Sequence, residues 1–112
     1  METPPRPDGS ERVLALLGLG AAGGNVVAGV DGTRAFLQRQ KCFAVVLASD
    51  ASHRAMEKVS RLAVATGIPV VVGPSADRIG QRLGRPPVMV VGVKDRALAA
   101  GILAASAPRD GT

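Results

Sequence analysis

The chain contains no tryptophan and no tyrosine, and two phenylalanines bring its aromatic fraction to only 2%. Domains of the RRM and OB type hold bases on aromatic platforms and draw affinity from the stacking, so the composition argues against that mode of recognition. A core has to come from aliphatic side chains, which the 46% hydrophobic fraction supplies. Cys42 is the single cysteine and His53 the single histidine. An intramolecular disulfide and a multi-cysteine zinc site are therefore impossible, and other metal-ligand sets lose their usual members. No metal and no cofactor are expected, and a reducing cytoplasm fits best.

Lysine is also scarce, with Lys41, Lys58 and Lys94 the only three, so most of the 14 basic residues are arginine. Against 9 acidic residues they give a formal net charge of +5 and a pI near 10.7. Such a field attracts polyanions, and the guanidinium group pairs bidentately with phosphate. A plain solvated surface is the alternative explanation of the same charge. Residues 13–30 carry no charge at all, but Gly18, Gly20, Gly23, Gly24, Gly29 and Asn25 interrupt the run. It is expected to form a helix, a turn and a strand, not a membrane span. Glu2, Asp8 and Glu11 do not suit the positive start of a signal peptide.

At 112 residues the chain accommodates one domain with a single core. Residues 1–10, rich in proline, read as a disordered leader, residues 11–106 as the domain and residues 107–112 as a flexible tail. Ser10 is placed to cap a helix from Glu11 to Ala22, and Val26-Val27 follow as a short strand. Asp31 is the expected N-cap of a second helix reaching Gln40, with Phe36 and Leu37 directed inward. Residues 44–48 are apolar at consecutive positions, as suits a parallel strand buried on both faces. After them comes a third helix, capped by Asp50 or Ser52, with Met56, Val59, Leu62 and Ala63 at helical spacing. Gly67 stops it, and Val70-Val71-Val72 complete a βαβ unit. Ser75 caps a fourth helix over residues 76–83 with Ile79 and Leu83 inward, residues 88–91 make a last strand, and Asp95 caps a final helix to about Ala105. The alternation predicts an α/β fold, a three-layer α/β/α sandwich with a mixed sheet of about four strands.

Three groupings invite chemistry. Gly18-Leu19-Gly20-Ala21-Ala22-Gly23 matches the dinucleotide fingerprint GxGxxG, which needs a strand before it, a helix opening on it and an acidic residue about twenty positions later. Here a strand follows the glycines and residues 38–40 carry no carboxylate, so dinucleotide binding stays a minor alternative. Asp50, Ser52 and His53 have the residue types of a hydrolytic triad, but neighbours in sequence are not arranged nucleophile to base to carboxylate in space. They read as caps and an exposed first-turn residue, and no enzymatic activity is expected. Basic residues recur at helical spacing as Arg54, Lys58 and Arg61, and again as Arg78, Arg82 and Arg85, the latter beside the stiff loop Gly84-Arg85-Pro86-Pro87.

The ordered segments Leu16-Leu17-Gly18-Leu19, Gly24-Asn25-Val26-Val27-Ala28-Gly29, Val45-Val46-Leu47-Ala48-Ser49-Asp50-Ala51-Ser52, Ile68-Pro69-Val70, Ile79-Gly80-Gln81-Arg82-Leu83-Gly84 and Val90-Val91-Gly92-Val93-Lys94-Asp95 carry a resemblance. From about Leu14 to Leu103 the chain resembles the ribosomal L-seven-Ae family of kink-turn RNA-binding proteins, most closely its bacterial YlxQ-like branch. The resemblance implies the same α/β/α sandwich, a non-enzymatic role, and structured or ribosomal RNA as partner, with ribosome or ribonucleoprotein components as further partners and no membrane.

In RNA-binding members the start of the second helix reads the RNA through an Asn-Glu pair and a lysine one turn later. Here Asp31 and Gly32 stand at the pair, Ala35 at the lysine, Asn25 at a basic position and Ser49 at a common glutamate. A carboxylate at 31 accepts hydrogen bonds, cannot donate them, and repels phosphate, so weakened kink-turn specificity is expected. Arg34, Arg39, Lys41 and Arg85 are the candidate compensating phosphate contacts. The RNA-binding set implied is Gly24, Asn25, Asp31, Gly32, Arg34, Arg39, Lys41, Arg82 and Arg85. The alternative is a ribosome-associated or regulatory protein-interaction module that uses residues 24–32 as a small-residue docking surface.

Overall fold

The structure, a computed structural model, describes residues 9–106. Helices and strands alternate throughout: α1 (Ser10–Ala22), β1 (Val26–Ala28), α2 (Val30–Gln38), β2 (Ala44–Leu47), α3 (His53–Thr66), β3 (Val70–Val72), α4 (Ala76–Leu83), β4 (Val90–Val93) and α5 (Arg96–Ser106). The expected tail and residues 1–8 of the expected leader lie outside the described residues. Ser10 does not belong to a leader and does not cap α1. It opens the helix, with Gly9 at the N-cap, whose carbonyl accepts from the Val13 amide at 2.8 Å.

The strands form one mixed sheet in the order β1-β4-β2-β3. β2 and β3 run parallel, Val45 opposite Val70, with α3 as their crossover, and β4 lies antiparallel to both its neighbours. Because successive strand side chains point to opposite faces, the apolar run of β2 serves two cores. Ala44, Val46 and Ala48 join Leu17, Ile79 and Ile102 beneath α1, α4 and α5. Val45 and Leu47 face the other way, packing with Leu37, Val59 and Ala63 beneath α2 and α3. Each fully buried Leu, Ile or Val stabilises the fold by about 1.5–3 kcal/mol, and the sheet is covered on both sides as a three-layer sandwich requires.

Several boundaries differ from those expected. α2 begins at Val30 because Gly29, at φ 101°, takes the N-cap conformation, leaving Asp31 in the first turn without a capping hydrogen bond. The helix ends at Gln38, not Gln40, since Gln40 is left-handed at φ 57° and the Lys41 amide closes back on the Phe36 carbonyl at 2.9 Å. α3 is capped by Ser52, whose Oγ accepts from the Ala55 amide at 3.1 Å. Asp50 instead accepts from the Ala76 amide at 2.9 Å and anchors the start of α4. Met56 is 41% exposed, because the inner stripe of α3 is Ala55, Val59 and Ala63.

β4 runs two residues later than expected. The Val88 amide is committed to the Ala76 carbonyl at 3.0 Å, which keeps residue 88 in the preceding loop. Gly92 sits inside the strand, where a Cβ would lie 3.1 Å from Val27 Cγ1 and 3.2 Å from Thr33 Oγ1, so β1 and α2 close tightly over it. The caps by Ser75 on α4 and Asp95 on α5 are as expected, at 3.3 and 2.8 Å.

Thr33 is fully buried, and its hydroxyl has no hydrogen-bond partner among the described residues. A buried unpaired hydroxyl costs about 1–3 kcal/mol in lost hydration. Thr33→Val keeps the branched shape and is expected to raise the melting temperature by several degrees, at about 4–8 °C per kcal/mol for a chain of this size. A lower melting temperature would show that the hydroxyl is satisfied after all.

Candidate nucleic-acid interface

The end of β1 and the start of α2 are joined by the Gly29 turn, whose amide donates to the Val90 carbonyl at 2.7 Å. That bond pins the turn against the entry to β4. Beside it runs the connection from α4 to β4. Gly84, at φ 70°, ends α4, and the Arg85 amide returns to the Gly80 carbonyl at 2.8 Å. The loop lies directly on the helix backbone: a Cβ on Gly80 would fall 2.4 Å from the Pro86 carbonyl oxygen and 2.8 Å from that of Arg85. The Ala48 amide then holds the Met89 carbonyl at 2.8 Å.

Between the turn and the loop is an open groove of about 410 Å³, walled by residues 28–30 on one side and 85–89 on the other. Arg85 is the one charged residue among the described residues on its walls, and Met89 adds a 39% exposed apolar side chain. Asp31 stands exposed in the adjoining first turn of α2. Two prolines fix the backbone dihedrals of the basic wall and reduce the freedom that a ligand must quench.

The nine residues implied by sequence do not form one surface. Arg85 lies on the groove wall opposite residues 28–30, and Asp31 and Gly32 follow Val30 in the adjoining first turn of α2. Gly24 and Asn25 sit at the opposite end of β1, about 13 Å away at roughly 3.3 Å per residue, where Asn25 bonds through its backbone to Gly20 and Lys94. Arg39 and Lys41 lie past the far end of α2, about 12 Å from Asp31 along the axis. Arg82 crosses to α1, and its Cδ would be 3.0 Å from a Cβ on Gly18. Arg34 is half-buried, shares a helical face with Val30 and Leu37, and has a buried Nε with no partner among the described residues. Gly32 permits close approach of α2 to β1, since a Cβ there would lie 2.5 Å from Val27 Cγ2. A glutamate at 32 therefore needs Val27 to move.

The other groupings resolve into structure. Gly18 and Gly20 are inside α1 and Gly23 is its C-cap, so no strand leads into them. Asp50 and Ser52 are engaged with backbone amides and His53 is an exposed first-turn residue. Arg78 pairs with Glu11, and Arg61 lies 3.9 Å from Glu57 on exposed helix surface. Cys42 is buried and donates to the Ala44 carbonyl at 3.2 Å, and burial pushes its thiol pKa up, which disfavours the nucleophilic thiolate. Among the described residues no group of three or more His, Cys, Asp or Glu is placed to hold a metal, and no helix is long and apolar enough to cross a membrane.

Lys94 and Arg96, which in sequence flank the Asp95 helix cap, each rest over an aromatic ring. Lys94 Nζ sits 4.7 Å from the centroid of the Phe36 ring, and Arg96 Cζ 5.2 Å from that of Phe43. The sequence signal was there in the motif Lys94-Asp95-Arg96, but the rings beneath the two cations come from distant segments.

Among curated proteins no sequence relative reaches significance. Solved structures are similar over most of their length. A protein with unknown function from Bacillus halodurans shares 28% identity at a TM-score of 0.80, covering 84% of this chain and 95% of its own. A Giardia lamblia 15.5kD RNA binding protein shares 21% identity at a TM-score of 0.74, covering 91% of this chain and 88% of its own, which shows a common fold. The family described as Ribosomal protein L7Ae/L30e/S12e/Gadd45 matches residues 11–100. With that match spanning α1 to α5, the chain belongs to the L7Ae/L30e/S12e/Gadd45 family.

Proposed function

We propose that this protein binds structured or ribosomal RNA, without catalysing a reaction, through the groove between residues 28–30 and 85–89. The observation that carries the reading is the placement of Arg85 across the groove from the start of α2, the element to which the family resemblance assigns kink-turn recognition. The fold shared with the Giardia RNA binding protein is consistent with it. Asp31 and Gly32 in place of an Asn-Glu pair remove donors aimed at bases, and a guanidinium in a proline-stiffened wall favours phosphate. Binding therefore rests on the backbone and discriminates kink-turns weakly.

Arg85→Ala is expected to weaken binding to a kink-turn RNA, a plain duplex and ribosomal RNA to similar degrees. It should also flatten the dependence of log K on log salt by about one contact, roughly 0.7–0.9 in slope. Asp31→Asn, which leaves Val27 in place, should raise preference for the kink-turn. A second reading, docking of a protein partner, is favoured by the apolar walls and the exposed Met89. It becomes the better one if Arg85→Ala leaves affinity for every tested RNA unaltered.

A further inference from the structure

The pole of the sheet opposite the groove gathers four cations. Val26, Ala44 and Val93 are paired there across three strands, and the Lys94 amide donates to the Asn25 carbonyl at 2.8 Å. Arg39 and Lys41 flank the turn from α2 into β2, while Lys94 and Arg96 lie over Phe36 and Phe43, the only aromatic residues in the chain. Among the described residues none of the four makes an ion pair. The carboxylate that separates two of them, Asp95, is occupied by the Leu98 amide at 2.8 Å. The Asp95 carboxylate offsets one of the four charges, and the cluster keeps a net positive charge.

We propose that this pole is a second phosphate-contact surface, touched by the same RNA that occupies the groove. The inference rests on the RNA-binding reading and extends it to Lys94 and Arg96, which the family resemblance does not mark and which join Arg39 and Lys41 at this pole. A cation resting on a ring face has its aliphatic stem already ordered and its N–H groups only partly desolvated, so less freedom is lost when a phosphate arrives. Guanidinium and ammonium groups without carboxylate partners need not break an ion pair first. The two surfaces lie about 13 Å apart along β1 at roughly 3.3 Å per residue, a span that one folded RNA bridges.

The test is a salt series on a kink-turn RNA and a plain duplex with the intact chain. Lys94→Gln with Arg96→Gln should lower the slope of log K against log salt by about two contacts on both RNAs, so that the affinity lost between 50 and 200 mM salt shrinks by about tenfold. Arg39→Gln with Lys41→Gln, which disturbs no ring, should do the same. The swap Lys94→Arg with Arg96→Lys should keep the slope of the unaltered protein. Unchanged slopes in both Gln pairs, with Arg85→Ala still lowering it, would overturn the second surface and leave the groove standing. Failure of the unaltered protein to bind either RNA would overturn both.

Discussion

Gly80→Ala is expected to lower the melting temperature by about 10–20 °C, at about 4–8 °C per kcal/mol, and to weaken RNA binding even in the molecules that remain folded. The methyl group would point at the Pro86 carbonyl oxygen at 2.4 Å and at that of Arg85 at 2.8 Å. Neither atom belongs to a side chain that can rotate away, so either the loop lifts off α4 or the helix is pushed inward. Overpacking of this kind typically costs about 1–3 kcal/mol, and contact with backbone places this case at the upper end. Lifting the loop also breaks the Arg85 amide bond to the Gly80 carbonyl and displaces the guanidinium from the groove. Thermal unfolding followed by circular dichroism, with RNA binding measured well below the transition, separates the two effects. An unchanged melting temperature would mean that the loop does not pack on Gly80.

Gly20→Val should be comparably damaging, and it decides what the glycine-rich stretch is for. A Cβ at 20 would lie 2.5 Å from Leu98 Cδ2 and 2.8 Å from Val26 Cγ1. Leu98 can turn aside, but Val26 is β-branched, stiff at χ1 and held in β1, and the two further methyls of valine have nowhere to go between α1, α5 and the sheet. A loss of about 3 kcal/mol or more is expected from the overpacking. NAD or FAD should not stabilise the unaltered protein in a thermal-shift measurement. Saturable stabilisation of the unaltered protein by either cofactor would instead restore the dinucleotide reading.

The elements, their order and the burial of both sheet faces were legible because they depend on local patterns: consecutive apolar residues in β2, glycines at φ-positive turns, and Ser or Asp before helices. What escaped depended on distant partners. The start of β4 is displaced because Val88 is held by Ala76, twelve positions earlier, and of the two cap candidates for α3 Ser52 serves while Asp50 bonds to α4. The site was legible only in part, for the same reason. Val30 at the start of α2 and Arg85, far apart in sequence, line one groove, but Arg39 and Lys41 follow α2 closely and end at the opposite pole, because α2 carries the chain the length of the sheet. Lys94 and Arg96 acquire their setting only when Phe36 and Phe43 fold beneath them.

The most direct test of RNA binding at the groove is a titration of isotopically labelled protein with a kink-turn RNA, followed through backbone amide chemical shifts. The largest changes are expected at Gly29, Val30, Asp31, Arg85 and Met89, with a second set at Lys41, Lys94 and Arg96 if the opposite pole is also touched. Saturable binding that leaves the amides of residues 29–32 and 85–89 unshifted would contradict the assignment of this groove as the RNA interface.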